Sequence, residues 1–370
     1  VLFSEIAVSL GETMLSVFGF HCRGPLGFAV IVSCLLWRTI PASAQDARFF
    51  RIGAAATAGS FFEIGGVLAS AISKPAGSLP CEQGGSCGVP GLVAVAQATQ
   101  GSVENLRMVA SDQIESGIAQ SDVVSWAFAG TGVFADAGPI KKLRAIASLF
   151  PESIHVVVRA AGPVETLADL KGKRISLGQT GSGTLADARI VVGASGLTEQ
   201  DLSVEYLRSG TAAAYLSDGS LEGFFLIGGV PIPAVRALAA TTPIRLIPIP
   251  DAVLSKMRQH GAYDRSVIPA DTYPGVETAT SSVGFHALWV VSADASDDLI
   301  FAITKALWSE ATQLLLEAHD PIGKNVRLEH ALDGLSIPLH PGALRFYRQA
   351  GLPVEDSGPP SELERSETLH

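Results

Sequence analysis

This sequence predicts an α/β fold built as two lobes facing each other across a cleft, and three observations carry that prediction. Short apolar strands alternate with helices along the chain, which argues for parallel sheets. Five strand ends run straight into helix starts through clusters of glycine, serine, threonine and glutamine, near Ser60, Thr99, Gln120, Ser182 and Gly228. Three of these junctions precede Arg159 and two follow it. Open α/β sheets bind ligands beyond the carboxyl ends of their strands, so two facing lobes bring all five together.

Composition agrees. The 370 residues suffice for two domains with their own cores. Only 17% are charged and 38 are glycine, as suits many short turns rather than a disordered chain. The net charge of −10 speaks for solubility, and without a Lys/Arg cluster or a basic-aromatic strip, nucleic acid is not an expected partner.

Residues 1–44 read as an export signal. Arg23 precedes a largely apolar run from Gly24 to Trp37, and Pro41-Ala-Ser-Ala44 supplies an Ala-x-Ala site, so cleavage is expected after Ala44. The run is too short to span a bilayer comfortably, so no stable membrane insertion is expected once it is removed. Ile31-Val-Ser-Cys34 also reads as a lipobox, which the apolar Leu35-Leu-Trp37 and the later Ala-x-Ala disfavour. In the exported chain only Cys81 and Cys87 remain, with five residues between them; in an oxidising compartment they most simply form a disulfide. Two thiolates without clustered histidines do not complete a zinc site, so no metal is expected.

From Phe50 the elements follow in order. Phe50–Gly53 is a strand, and Thr57–Phe62 is a small-residue loop opening a helix through Ile72. A strand at Gly91–Gln97 leads to a helix at Val103–Ser111, and a further strand ends in Gln120-Ser121-Asp122. Leu143–Leu149 and His155–Arg159 read as two strands separated by Phe150-Pro-Glu-Ser153. The stretch from Arg174 to Thr184 reads as strand, glycine-rich turn and helix opening: Gly178, Gly181 and Gly183 permit a sharp turn, and Ser182 or Thr184 can cap the helix. The unpaired N–H groups of such a helix start favour an anion. Next come a strand at Val204–Leu207, a helix at Gly210–Leu216, and a strand at Gly223–Gly229 carrying Phe225 and Gly228. A helix at Pro231–Ala240 and a strand at Ile244–Ile249 follow; Asp271–Ser282 is loop and Val283–Val291 a long apolar strand. Asp297–Ala318 reads as one strong helix with Ile300, Ile303, Leu307 and Leu314 on one stripe, and the Pro-, Ser- and Glu-rich residues after Gly351 as a disordered tail.

No catalytic set assembles. Thr180 stands two before Ser182, where a nucleophile elbow needs glycine. There is no His-Glu-x-x-His, and no Gly-Lys-Ser/Thr closes a P-loop. A non-enzymatic protein without a cofactor is the expectation.

Several stretches together resemble one family: Gly101-Ser-Val-Glu-Asn-Leu-Arg107, Ile118-Ala-Gln-Ser-Asp122, Leu167-Ala-Asp-Leu-Lys-Gly-Lys-Arg174, Gly181-Ser-Gly-Thr184, Ala239-Ala-Thr-Thr-Pro-Ile-Arg245, Ile268-Pro-Ala-Asp-Thr-Tyr-Pro-Gly275 and Ala331-Leu-Asp-Gly-Leu-Ser-Ile-Pro-Leu-His-Pro-Gly342. The sequence is similar to the TAXI family of periplasmic solute-binding proteins of tripartite ATP-independent periplasmic (TRAP) transporters. The resemblance implies a two-lobed type II periplasmic-binding fold, a periplasmic location, and delivery of a glutamate-like amino acid or related small carboxylate to TRAP membrane subunits. A periplasmic sensor serving a signalling receptor is the alternative. One departure stands out: many members carry paired tyrosines in the first loop, where this chain has Phe61 and Phe62.

The expected arrangement is therefore lobe one at 48–160 plus 284–351, lobe two at 161–283, and a tail at 352–370. The expected ligand-binding residues are Ser60, Phe61, Thr99, Gln120, Ser121, Gly181, Ser182, Gly183, Thr184, Phe225 and Gly228, with the amides and hydroxyls of 182–184 holding the negative end of a carboxylate.

Overall fold

The computed structural model describes residues 47–319 and 321–354. The export signal and nearly all of the tail lie outside the described residues.

Two long antiparallel strands, β6 (Leu143–Arg159) and β12 (Thr280–Ser292), run through the middle of a ten-stranded sheet. On one side β12 pairs with β5 (Ser116–Gln120), which is parallel to β1 (Arg48–Gly53), itself parallel to β4 (Leu92–Gln97). On the other, β6 pairs with β9 (Gly223–Gly228), then come β7 (Arg174–Ser176) and β8 (Ser203–Glu205), parallel to one another. Strands β10 (Ile244–Leu246) and β11 (Asp264–Ile268) pair with the far ends of β6 and β12. The fold is thus two-lobed and α/β, each lobe with its own parallel set and both sharing the central pair. A small ribbon, β2 (Ser73–Lys74) with β3 (Val89–Pro90), frames the loop closed by the Cys81–Cys87 disulfide.

Helices follow the parallel strands: α1 (Ser60–Ile72) after β1, α2 (Ser102–Ala110) after β4, α3 (Ser121–Ala129) after β5, α4 (Gly183–Ala194) after β7 and α5 (Ser209–Asp218) after β8. Helix α1 forms because Phe61, Ile64, Leu68 and Ile72 recur every three or four residues and bury one stripe against the sheet. Shorter helices α6 (Pro233–Ala239) and α7 (Asp251–Met257) complete the second lobe, and α8 (Asp297–Leu307), α9 (Glu310–His319) and α10 (Pro341–Gln349) return to the first.

Hydrophobic packing comes in three clusters. One centres on Phe50, Leu68, Trp289 and Ile303 in the first lobe, another on Leu216, Phe224, Ile232 and Tyr273 in the second. The third spans both, joining Leu106 and Val123 to Ile175, Val191 and Met257 through Val156 and Leu288. This shared cluster holds the lobes together.

The structure departs from the sequence expectation in three places. Leu143–Arg159 is one strand rather than two: at Pro151 it pairs with β12 opposite His286, and β9 takes up its register only from Ser153, so the missing N–H leaves no ladder bond broken on that side. Helix Asp297–Ala318 is broken into α8 and α9, bent by 56°. Ser309 causes the break: its Oγ accepts from Thr312 N at 3.3 Å, recapping the chain, while Thr312 Oγ1 donates to the Ala306 carbonyl at 2.6 Å. Leu314 consequently leaves the buried stripe and is 62% exposed. Lastly, α7, β11 and α10 lie where no element was expected. Among the described residues no single helix is long and apolar enough to cross a membrane.

Candidate functional site

Because β1, β4 and β5 are parallel in one lobe and β7 and β8 in the other, their carboxyl ends gather at the cleft, and so do the starts of the helices that follow. Between them lies a small cavity, with about 60 Å³ open to the centre of a water molecule. The first lobe contributes Ser60 and Phe61, then Gln100 to Ser102, then Gln120; the second contributes Gly178, Gln179, Ser182 to Thr184, Ser209 and Phe225. Glu152, from the central strand β6, completes the wall.

The cleft is shut by direct bonds between the lobes. Glu104 N donates to Gly181 O at 3.1 Å, Ala234 N to Ala58 O at 3.2 Å, and Trp126 Nε1 to His260 O at 2.8 Å. Gln179 Nε2 donates to Gln100 O at 2.5 Å, and Ser60 Oγ to Gly229 O at 3.3 Å. Two glycines make this closeness possible. Gly101 has φ +124°, and a Cβ on it would lie 3.2 Å from Ser182 Cα; a Cβ on Gly183 would overlap the Gln120 side chain.

Of the residues expected at the site, Ser60, Phe61, Gln120, Ser182, Gly183, Thr184 and Phe225 line the cavity. The other four do not. Thr99 Oγ1 accepts from Ala55 N at 3.0 Å and Gly101 N at 3.3 Å, tying two loops together behind the wall. Ser121 Oγ accepts from His286 N at 3.2 Å, within the first lobe. Gly181 sits outside the cleft seam, in an open hollow with Arg107 and Arg208. Gly228 packs against Ser60, whose Oγ lies 2.7 Å from where a Cβ would be. Ser182 lines the cavity with its polar groups already engaged: its N–H donates to Gln179 O at 3.1 Å, its Oγ donates to the same carbonyl at 2.6 Å and accepts from Leu185 N at 3.1 Å. Gly183 and Thr184, the first two helical positions, have no intrahelical carbonyl to donate to. The anion seat expected at 182–184 thus narrows to their two amides.

Sequence reasoning missed Glu152, Gln179 and Ser209. Glu152 had a visible signal, an acid between two apolar runs, but it read as part of a turn. Ser209 repeats the strand-to-helix device of the other junctions.

Beside the cavity three carboxyls are buried: Asp122, Glu152 and Asp187, each no more than 3% exposed. Asp187 is wired across the cleft, accepting from Tyr263 Oη at 2.7 Å and from Gln120 Nε2 at 3.0 Å. Gln120 is itself fixed, since its Oε1 accepts from Ser102 Oγ at 3.1 Å. Burial raises the Asp187 carboxyl well above the usual range, and the neighbouring Asp122 raises it further. Burial raises Asp122 as well, against the lowering influence of Asp187, of the amides of Val123 and Asp122 itself, and of Tyr263 Oη, which lie near its oxygens without a well-formed bond to either. A proton between the two acids turns their contact into a hydrogen bond, so the pair titrates as a unit. Glu152 has no such partner: neither oxygen accepts a bond, and burial first, then Asp122, raises it well above the ordinary glutamate range.

Among the described residues no group of three or more His, Cys, Asp or Glu side chains is placed to hold a metal ion. Three hydroxyls at the cavity donate to oxygen acceptors: Ser60 to Gly229 O, Ser102 to Gln120 Oε1 and Ser182 to Gln179 O.

A model of the NMT1-like family matches residues 52–351. Among solved structures, similarity extends to the alkanesulfonate-binding protein SsuA from Xanthomonas axonopodis pv. citri bound to MOPS, at 18% identity over 86% of this chain and 89% of that one, with a TM-score of 0.45. The periplasmic aliphatic sulphonate binding protein SsuA from Escherichia coli is 15% identical over 83% and 94%, TM-score 0.38. An ancestral arginine-binding protein bound to arginine is 16% identical over 73% and 97%, TM-score 0.43. At these scores the likeness is too distant to speak for a ligand.

Proposed function

The chain belongs to the NMT1-like family, and on that premise we propose that it is a periplasmic solute-binding protein that captures a small organic carboxylate, a glutamate-like amino acid or related acid, and delivers it to the membrane subunits of a TRAP-type transporter. The observation that carries this reading is the small cavity closed by both halves of the sheet, onto which helices α1, α2, α4 and α5 direct their starts. We take the jaws to be 48–160 plus 284–351 and 161–283, hinged on β6 and β12. The negative end of the guest would sit at the amides of Gly183 and Thr184, where the dipole of a 12-residue helix favours an anion. Capture without chemistry fits the three cavity hydroxyls that donate to oxygen acceptors. The TRAP-type partner is a finer step than the family match and rests on the TAXI-like stretches alone.

A guest held only by the closed form stabilises the whole protein by mass action, about 2.7 kcal/mol at a hundredfold excess over Kd. A thermal-shift screen of amino acids and small carboxylates should therefore find compounds that raise the Tm by several degrees. A screen in which every carboxylate and amino acid leaves the Tm unmoved would overturn the reading. For the partner, ligand uptake into vesicles carrying TRAP membrane subunits should depend on added protein.

A further inference from the structure

We propose that the guest in this cleft carries an ammonium group, held by Glu152, so that the protein selects amino compounds over acids of the same shape that lack nitrogen. The inference rests on the solute-binding reading above and names the class of solute.

Glu152 is 1% exposed, lines the cavity, and neither carboxyl oxygen accepts a hydrogen bond. Two other cavity-lining residues repeat the pattern. Gln179 spends its Nε2 on Gln100 O, and its Oε1 is buried with no donor; Ser209 Oγ is buried without a partner. Buried polar groups are almost always satisfied, and an unmet one costs the full desolvation of that group. Unmet acceptors on Glu152 and Gln179, beside a Ser209 hydroxyl free to donate or accept, are therefore a demand for donors around one small hollow. The protein does not supply them: among the described residues lining the cavity there is no Lys, Arg or His. An ammonium brings three donors and a positive charge, which is what a lone buried carboxyl lacks.

The neighbouring acids sharpen the reading. Facing Glu152 from α3 and α4 are Asp122 and Asp187, with Tyr263 donating to the latter. Asp187 has its own donors and a contact with Asp122, and neither of these two lines the cavity, so Glu152 is the acid of the three that a guest can reach. Without a guest, burial and then Asp122 both favour the protonated form of Glu152. An ammonium guest reverses that balance: Glu152 gives up its proton to solvent, and the pair forms as carboxylate and ammonium. The competing arrangement, a protonated Glu152 donating to a guest carboxylate, needs no nitrogen and leaves the proton in place. The two differ in proton count.

The test is isothermal titration of the purified protein with matched pairs, L-glutamate against (S)-2-hydroxyglutarate and L-alanine against L-lactate, with putrescine as an amine lacking a carboxylate. The amino member of a pair should bind about 10- to 100-fold tighter, the range of one charge-assisted hydrogen-bonded contact. Its binding heat should vary with buffer in the sense of proton release, and its affinity should rise with pH. Glu152→Gln, nearly isosteric, should erase the preference by weakening the amino member of each pair, and should abolish proton release that persists in Asp122→Asn. If Glu152→Gln does not fold, the paired affinities and the proton count of the parent decide alone. Equal affinities within each pair, a preference that survives Glu152→Gln, or hydroxy acids whose binding takes up or keeps protons as tightly as the amino acids would overturn the proposal. Hydroxy acids binding alone would sink it and leave the carboxylate reading standing. Putrescine binding alone would do the reverse, and silence from every probe would remove both.

Discussion

Glu152 and Asp187 are both carboxyls buried beside the cleft, yet the fold treats them in opposite ways. Asp187 sits on α4 with a tyrosine and a glutamine donating to its two oxygens and a second acid in contact with it. Glu152 sits on β6 with no donor at all. One acid is fastened into the closed form and works as structure. The other is desolvated and left unmet, an expense that a stable fold tolerates only where a ligand will meet it. The comparison teaches that burial and a raised carboxyl do not by themselves mark a binding group; what separates the two is whether the protein provides the donors.

Replacing each acid breaks the comparison most directly. Asp187→Ala strips two buried donors, Tyr263 Oη and Gln120 Nε2, of their acceptor, and should destabilise the protein by about 2–5 kcal/mol in urea unfolding. A loss under about 1 kcal/mol would mean that Asp187 is no more wired than Glu152.

Glu152→Gln should behave in the opposite direction. A carboxyl whose folded value lies above its unfolded one keeps a proton that the unfolded chain gives up, so stability falls as pH rises above about 4. The amide has nothing to titrate. The variant should therefore match the parent near pH 4 and then exceed it, the gap widening by up to about 1.4 kcal/mol per pH unit until the folded Glu152 itself ionises. Parallel pH profiles for variant and parent would remove the contrast. Ligand-free protein is needed for this measurement, since an ammonium guest would cancel the difference.

The smallest change tunes the fastened acid alone. Tyr263→Phe keeps the edge-to-face contact with Phe285, with centroids 6.2 Å apart, and deletes one of the two donors to Asp187. A loss of about 1 kcal/mol is expected, measured by the same unfolding experiment. Tyr263→Phe costing as much as Asp187→Ala would place the whole effect in that single bond.

Much of this molecule was legible in its sequence because the signals are local. Strand-to-helix junctions, glycine turns and apolar periodicity act over a few neighbouring residues, so the parallel strands, the helix starts near Ser60, Gln120 and Ser182, and the Cys81–Cys87 pair could be read directly. The misread helix at 297–318 fits the same rule: the apolar stripe of Ile300, Ile303 and Leu307 was correct, but Ser309 recapped the chain before Leu314, and a single hydroxyl outweighed the periodicity. The joining of two strand runs through Pro151 depended on β12, which lies more than a hundred residues away.

The sequence by itself determined that helix starts from both halves of the chain would gather at a cleft, because strand direction and turn chemistry are written residue by residue. Which of those residues face the guest was decided only by tertiary structure. Thr99 and Ser121 turned inward to hold loops, Ser182 spent its groups on its own turn, and Glu152 became the unmet acid. The physical reason is that hydrogen-bond satisfaction is a property of a closed volume: whether an oxygen is paired depends on donors brought from distant parts of the chain, as Tyr263 is to Asp187 and as none is to Glu152.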